Sequence, residues 1–160
     1  MATQKLQASR ALGVIPSNNS DIPFPALIAE GAATSSGGTT LTDSSADFIA
    51  KNIKCGDIIY NITAQISSTV LVVVSSTEII ANAGVFTSGN QYRIFQASPQ
   101  TGLGNQGCVL YIGTGGSLSV TTSGNDILEF QNVQSGTFFP VNVVKISATG
   151  TTASDIIALW

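Results

Sequence analysis

The sequence contains no histidine. That removes Ser–His–Asp and Cys–His nucleophilic arrangements. With only 2 cysteines it also leaves too few soft ligands for a zinc site. Charge is nearly as scarce: 6 Lys and Arg and 9 Asp and Glu make 9% of the residues, well under the usual quarter or so. The net charge of −3 comes with no basic patch, which argues against nucleic acid as a partner. No apolar run approaches the roughly eighteen residues that cross a bilayer, so no membrane span is expected. The opening MATQKLQASR lacks the apolar core of a secretion signal, and the expectation is a chain made and first kept in a cytoplasm. Cys55 and Cys108 stand apart, in no C-x-x-C pair, and are read as two buried free thiols, with a disulfide between them as the alternative.

What is abundant points to strands. Hydrophobic residues make up 43% of the chain, the remainder is rich in Ser and Thr, and 16 glycines punctuate it. Disorder goes with low hydrophobicity and high net charge, the opposite of this composition. Hydroxyl and β-branched residues suit extended backbone. Uncharged polar surface also costs less to desolvate against a neighbour than Lys or Glu does. The shortage of charge is therefore read as a sign of assembly.

The segment GLGNQG at 102–107 satisfies G-x-G-x-x-G, a dinucleotide-binding pattern, but the context is wrong. Such a site needs a strand before the glycines and a helix after them. Here the turn-rich QASPQT precedes and the strand-like CVLYIG follows, so a strap between β modules is expected and no cofactor is assigned. LYIGTGG at 110–116 lacks the Lys-Ser/Thr of a phosphate loop and reads as a tight turn. Asp43, Asp47 and Asp57 lack calcium-loop spacing and are given capping and turn roles. Asp126 and Glu129 lie three apart on a predicted strand, on opposite faces, as solvent carboxylates do. No metal site and no catalytic residue are assigned, and the chain is read as non-enzymatic.

About eleven short apolar bursts between Gly, Ser, Asn and Pro clusters predict an all-β fold. The best helical candidate is SSADFIAKNI at 44–53, a single turn capped by Ser44 or Ser45 with Asp47 near its start. Residues 1–27 form an N-terminal arm whose ALGVIP can be one strand. Pro16, Pro23 and Pro25 keep it extended. Residues 28–100 form a small β-barrel-like domain, in which the continuous run Val70–Val74 predicts a strand covered on both faces. Residues 101–160 form a small β-sandwich or jelly-roll-like module. In it Leu118 and Val120 share one face, Leu128 and Phe130 point together, and parity switches near Val143–Val144, where a bulge is predicted. Five strands there leave an open edge. The arm strand is the candidate sixth, which would make 28–100 an insertion.

The run from GCVLYIG to DIIALW resembles a small β module recurrent in virion proteins of tailed phages and gene-transfer agents, among them head decoration and head-spike base proteins. The resemblance rests on LYIGTGG, SVTT at 119–122, SGTFFPV at 135–141 and ATGTTASDIIALW at 148–160. SRALGVIPSNNSDIP resembles the strand that precedes the module in shorter members, and LTDSSADFIAKNIKCGDIIYNIT is similar to small β domains of phage structural proteins.

The resemblance implies a capsid decoration (cement) protein on the virion exterior. Its partners would be the major capsid protein and itself, as a homotrimer. The alternative is a head-spike or fibre base, or tail accessory protein, bound to a fibre or spike protein. A carbohydrate-binding module is weaker, for want of an exposed aromatic cluster. The interface candidates are Lys5 and Arg10, which make the arm basic, Leu12, Val14 and Ile15 of its strand, and the terminal Trp160.

Overall fold

The computed structural model describes residues 8–84, 86–97 and 105–160. The fold is all-β, with no helix among the described residues and every strand pairing antiparallel. The strands are β1 (Ala11–Gly13), β2 (Leu27–Ala32), β3 (Thr40–Thr42), β4 (Ile58–Asn61), β5 (Ile66–Ser75), β6 (Glu78–Ala81), β7 (Gln91–Phe95), β8 (Cys108–Thr114), β9 (Gly116–Thr122), β10 (Ile127–Val133), β11 (Thr137–Ile146) and β12 (Ser154–Leu159). One sheet has the order β1-β12-β8-β11-β9-β10 and the other β2-β7-β4-β5-β6-β3. The first sheet thus takes its outermost strand from the arm, and Ala11, Leu12 and Gly13 oppose Leu159, Ala158 and Ile157.

Alternation builds the core of the first sheet. Cys108, Leu110 and Ile112 of β8, Leu118 and Val120 of β9, and Ile156 and Ala158 of β12 are all buried, two residues apart. The chain turns from β8 into β9 with only Gly115 between them. A Cβ there would lie 2.2 Å from the Val133 carbonyl oxygen, so no other residue fits the corner. In β11 the register against β8 shifts between Phe139 and Val143, a stretch that contains Pro140, which has no N–H for a ladder. A second shift, against β9, falls between Val143 and Lys145. It leaves Val143 and Val144 both buried, at the place where the sequence parity switches.

The second sheet curls into a half-barrel. Beyond β2 and β3 the Thr34 N–H donates to the Thr42 carbonyl at 2.7 Å, bringing the two edge strands together. Inside, Leu41, Phe48, Ile59, Val70, Ile79 and Ile94 are almost fully buried. The closure carries one buried carboxylate, Asp43. Its Oδ2 accepts from the Tyr92 hydroxyl at 2.7 Å, and its Oδ1 accepts from the Ser45 N–H at 2.9 Å and hydroxyl at 2.6 Å. Gly31 makes room, since a Cβ there would stand 2.5 Å from that carboxylate. Burial opposes ionisation of Asp43, but the bonds from Ser45, Tyr92 and Ala46 outweigh it and hold the carboxyl below its ordinary value. Burial, and then donation to Asp43, push the Tyr92 phenol well up.

Three expectations are corrected. Residues 44–53 form turns without a helix. The Lys51 N–H reaches Asp47 O, but Asn52 bonds back three residues to Ile49 and Ile53 back five to Phe48, so no ladder propagates. Neither serine caps it: Asp47 Oδ1 accepts from the Ala50 N–H, and Ser45 is bound to Asp43. The Val70–Val74 run is not covered on both faces, because Leu71, Val72 and Val74 are 48%, 45% and 52% exposed. β5 pairs with β4 only through Ile66–Thr69, and its second half runs on past the end of that strand. The strand buried on both faces is β4. Ile59 enters the half-barrel core, while Ile58 and Tyr60 pack with Phe95 against Leu12 and Ile15 of the arm. Third, Cys55 is exposed, in the turn before β4, and only Cys108 is buried.

Tyr92→Phe is expected to destabilise the protein by about 1.5–3 kcal/mol, since it removes a hydrogen bond to an ionised buried acceptor. The folded pKa of Asp43 lies below the unfolded value of about 3.9, so its contribution is complete above that pH and is lost as pH falls through the folded value. Urea unfolding of both proteins at pH 7 and pH 3 checks this, with a smaller difference between them in acid.

Candidate binding surfaces

The structure brings some of the interface candidates together and separates others. Lys5 lies outside the described residues. Arg10 and Trp160 meet at one end of the first sheet, where the Trp160 N–H donates to Arg10 O at 3.0 Å and the Arg10 N–H to Trp160 O at 3.2 Å. Phe24 lies between their side chains, with the Arg10 guanidinium 5.2 Å from the ring centroid and Trp160 edge-on at 6.1 Å. Arg10 also donates to the Pro25 carbonyl, which ties the start of the arm to its end. The arm strand splits its side chains. Val14 packs on the first core with Trp160, whereas Leu12 and Ile15 pack on Ile58, Tyr60 and Phe95 of the second sheet.

Between the arm and the second sheet lies a cleft of about 470 Å3, lined by Leu12, Ile15, Tyr60, Phe95, Arg93 and Asp155 among others. Its charged groups are engaged, but the buried Tyr60 hydroxyl has no hydrogen-bond partner among the described residues. Asp155 accepts from the Thr114 and Ser154 hydroxyls, and Arg93 pairs with Glu30 at 3.1 Å on a solvent-exposed face, where such a pair contributes little. Burial pushes the Tyr60 phenol up, opposed by the Ile15 backbone beside it. These residues include no nucleophile placed beside a base. Among the described residues no group of three His, Cys, Asp or Glu side chains is placed to hold a metal ion. Asp43, Asp47 and Asp57 are apart in function: the first closes the half-barrel, the second caps a turn and the third accepts from the Lys54 N–H at 2.8 Å.

The larger features are exposed apolar surfaces that the sequence reading did not select. One is the second half of β5. Another is β10 at the edge of the first sheet, where Ile127 is 76% and Leu128 50% exposed. The parity that pairs Leu128 with Phe130 puts Phe130 on the core but leaves Leu128 half out, beyond the last covering strand. A third is a cross-strand row, Ile157–Tyr111–Phe138, on the outer face of β12, β8 and β11. Phe138 is 61% exposed and its ring meets Tyr111 at 61° and 5.5 Å. One sequence signal was there, an apolar pair bracketed by acids in DILE.

Compared with known proteins, the chain matches no family model, no curated protein and no solved structure. Its two thiols differ sharply. The Cys108 thiol donates to Val143 O inside the core, where burial pushes it up to about 12, while Cys55 is open to solvent. A thiol-reactive chromophore at pH 8 is expected to titrate one equivalent in the native protein and two in denaturant. Two fast equivalents in the native state would contradict the burial of Cys108.

Proposed function

We propose that the protein is a non-enzymatic structural component of a tailed-phage virion, a decoration protein that binds the outer head surface across capsomer junctions. In this reading its partners are the major capsid protein and further copies of itself as a homotrimer. It needs no cofactor, nucleic acid or membrane. The observation that carries the reading is the surface. Broad antiparallel faces present half-exposed Leu, Ile, Val and Phe side chains and few charges, in a chain whose C-terminal motifs resemble phage virion modules. Apolar faces with little charge lose little on desolvation and gain when pressed against another protein.

The mechanism is linkage. A protein that binds the assembled shell and not its separated capsomers stabilises the shell by RT ln(1 + [L]/Kd), about 2.7 kcal/mol per site at a hundredfold excess over Kd. Contacts bridging capsomers then oppose the outward pressure of packaged DNA. Several copies joined together would add avidity to contacts that are individually weak. A head-spike or fibre base would use the same surfaces and differs in copy number.

Particles lacking the protein are expected to release DNA at a lower temperature than wild type, with resistance restored by adding the purified protein. Quantitative gels of mature particles are expected to show a copy number comparable with that of the major capsid subunit. A few dozen copies or fewer per particle would replace the decoration reading with the spike base. Absence from purified particles would end both.

A further inference from the structure

We propose that this chain associates head to tail with a second copy of itself, the exposed ridge along β5 of one copy seating on the β10 edge of the next. This deepens the self-association part of the proposed function and rests on that part alone, not on binding to a shell.

The ridge is built by two segments. The Phe48 N–H donates to Ser76 O at 2.7 Å and the Gly56 N–H to Val70 O at 2.9 Å, which lays residues 48–56 along the outer half of β5. Leu71, Val72 and Val74 come from the strand, and Ile49, 64% exposed, comes from the flanking segment. Lys51 and Lys54 stand exposed on that same segment, and neither is in an ion pair among the described residues. Two carboxylates flank the segment and keep their charge: the exposed Asp47, which accepts from the Ala50 N–H and precedes Ile49, and the buried Asp57, which accepts from the Lys54 N–H, so the cationic side of the ridge is the part around Lys51 and Lys54. Glu78 is half-buried beyond the tip of the β5–β6 hairpin.

The β10 edge has the opposite rim. Ile127 and Leu128 protrude between Asp126 and Glu129, both exposed and neither paired with a cation among the described residues. One Asp126 oxygen accepts from the Thr122 hydroxyl, and the Glu129 carboxylate lies beside Gly150. Along β10 the side chains alternate, Ile127 and Glu129 on one face and Leu128 with Phe130 on the other, with Asp126 in the turn just before the strand, so the edge presents an apolar side chain and an acid towards each side. β10 is the last strand of its sheet, and among the described residues its outer backbone edge has no neighbouring strand.

Charge decides the pairing. Ridge on ridge sets Lys51 and Lys54 against themselves, and edge on edge does the same for Asp126 and Glu129, a repulsion that discriminates strongly at an interface. Ridge on edge joins apolar to apolar with opposite charges around the rim. Two different patches on one chain make a heterologous contact, which closes into a ring or propagates according to the rotation between copies. A ring of three is the closed form that agrees with a homotrimer.

Sedimentation equilibrium of the full chain over a range of concentrations tests this, with circular dichroism to check folding. The wild type is expected to associate. Lys51→Glu with Lys54→Glu, and separately Asp126→Lys with Glu129→Lys, are each expected to weaken association about tenfold or more. The chain carrying all four reversals is expected to regain it. A wild type that stays monomeric throughout overturns self-association and this interface together. A wild-type oligomer unaffected by either reversal, or not restored by all four, overturns this interface and leaves self-association standing. A test with no charge change uses the native thiol of Cys55, beside Lys54. With Leu128→Cys, a short bismaleimide is expected to give an interchain cross-link that needs both thiols, and its absence from an associated sample overturns the contact.

Discussion

The structure depends on the stretch of arm between β1 and β2, which is hydrogen-bonded to both sheets at once. Towards the first sheet, the N–H groups of Val14, Ser17 and Ile22 donate to the carbonyls of Ile156, Ile146 and Val144. Towards the second, the Ser17 hydroxyl donates to Ser67 O at 2.9 Å, the Ser20 and Ser67 hydroxyls meet at 2.6 Å, and the Thr69 hydroxyl reaches Asn19 O. Ser17, Ser20 and Ser67 are buried, and a buried hydroxyl without a partner costs about 1–3 kcal/mol. The serines therefore fix the register in which this segment lies against β5. Pro16, Pro23 and Pro25 remove N–H groups from a path that no single sheet would satisfy in full.

That placement explains why β4 is buried on both faces. One face belongs to the half-barrel core; the other would meet solvent had the arm not laid Leu12 and Ile15 across Ile58, Tyr60 and Phe95. β4 thus has the burial of a central strand because a distant segment covers it. The outer half of β5 has a more strongly apolar sequence and, among the described residues, no such cover. Hydrophobicity sets how much a strand gains from burial, but topology sets whether anything lies over it.

The same distinction separates what was legible in the sequence from what was not. The all-β class, the alternation of β9 and the bulge near Val143 follow from side-chain parity and turn residues, which are local properties. The exposure of Leu71, Val72 and Val74 depends on where β4 ends, which nothing within VLVVV records. Cys55 was misplaced because a cysteine in a turn carries no local sign of direction. The turn at 44–53 has the composition of a helix start, yet Asn52, at φ 56°, and the pull of Phe48 into the half-barrel core stop it at one turn. Of the surface features, only the DILE segment at the sheet edge showed itself locally, as an apolar pair held between two acids.

Scarcity of charge gives each remaining charge unusual weight. At physiological ionic strength the screening length is about 8 Å, so a charge acts mainly on its immediate neighbours. On an ordinary surface those neighbours include charges of both signs, and their effects largely cancel. Here 15 charged residues are spread over 160, and the one ion pair among the described residues joins Arg93 to Glu30. Lys51, Lys54, Asp126 and Glu129 stand beside exposed apolar side chains, and none of them is in an ion pair among the described residues. The apolar area supplies adhesion without direction, and hydroxyls supply solubility without selectivity. Orientation and choice of partner are left to a handful of carboxylates and ammonium groups, and changing a few of them should redirect assembly while the β scaffold stays intact.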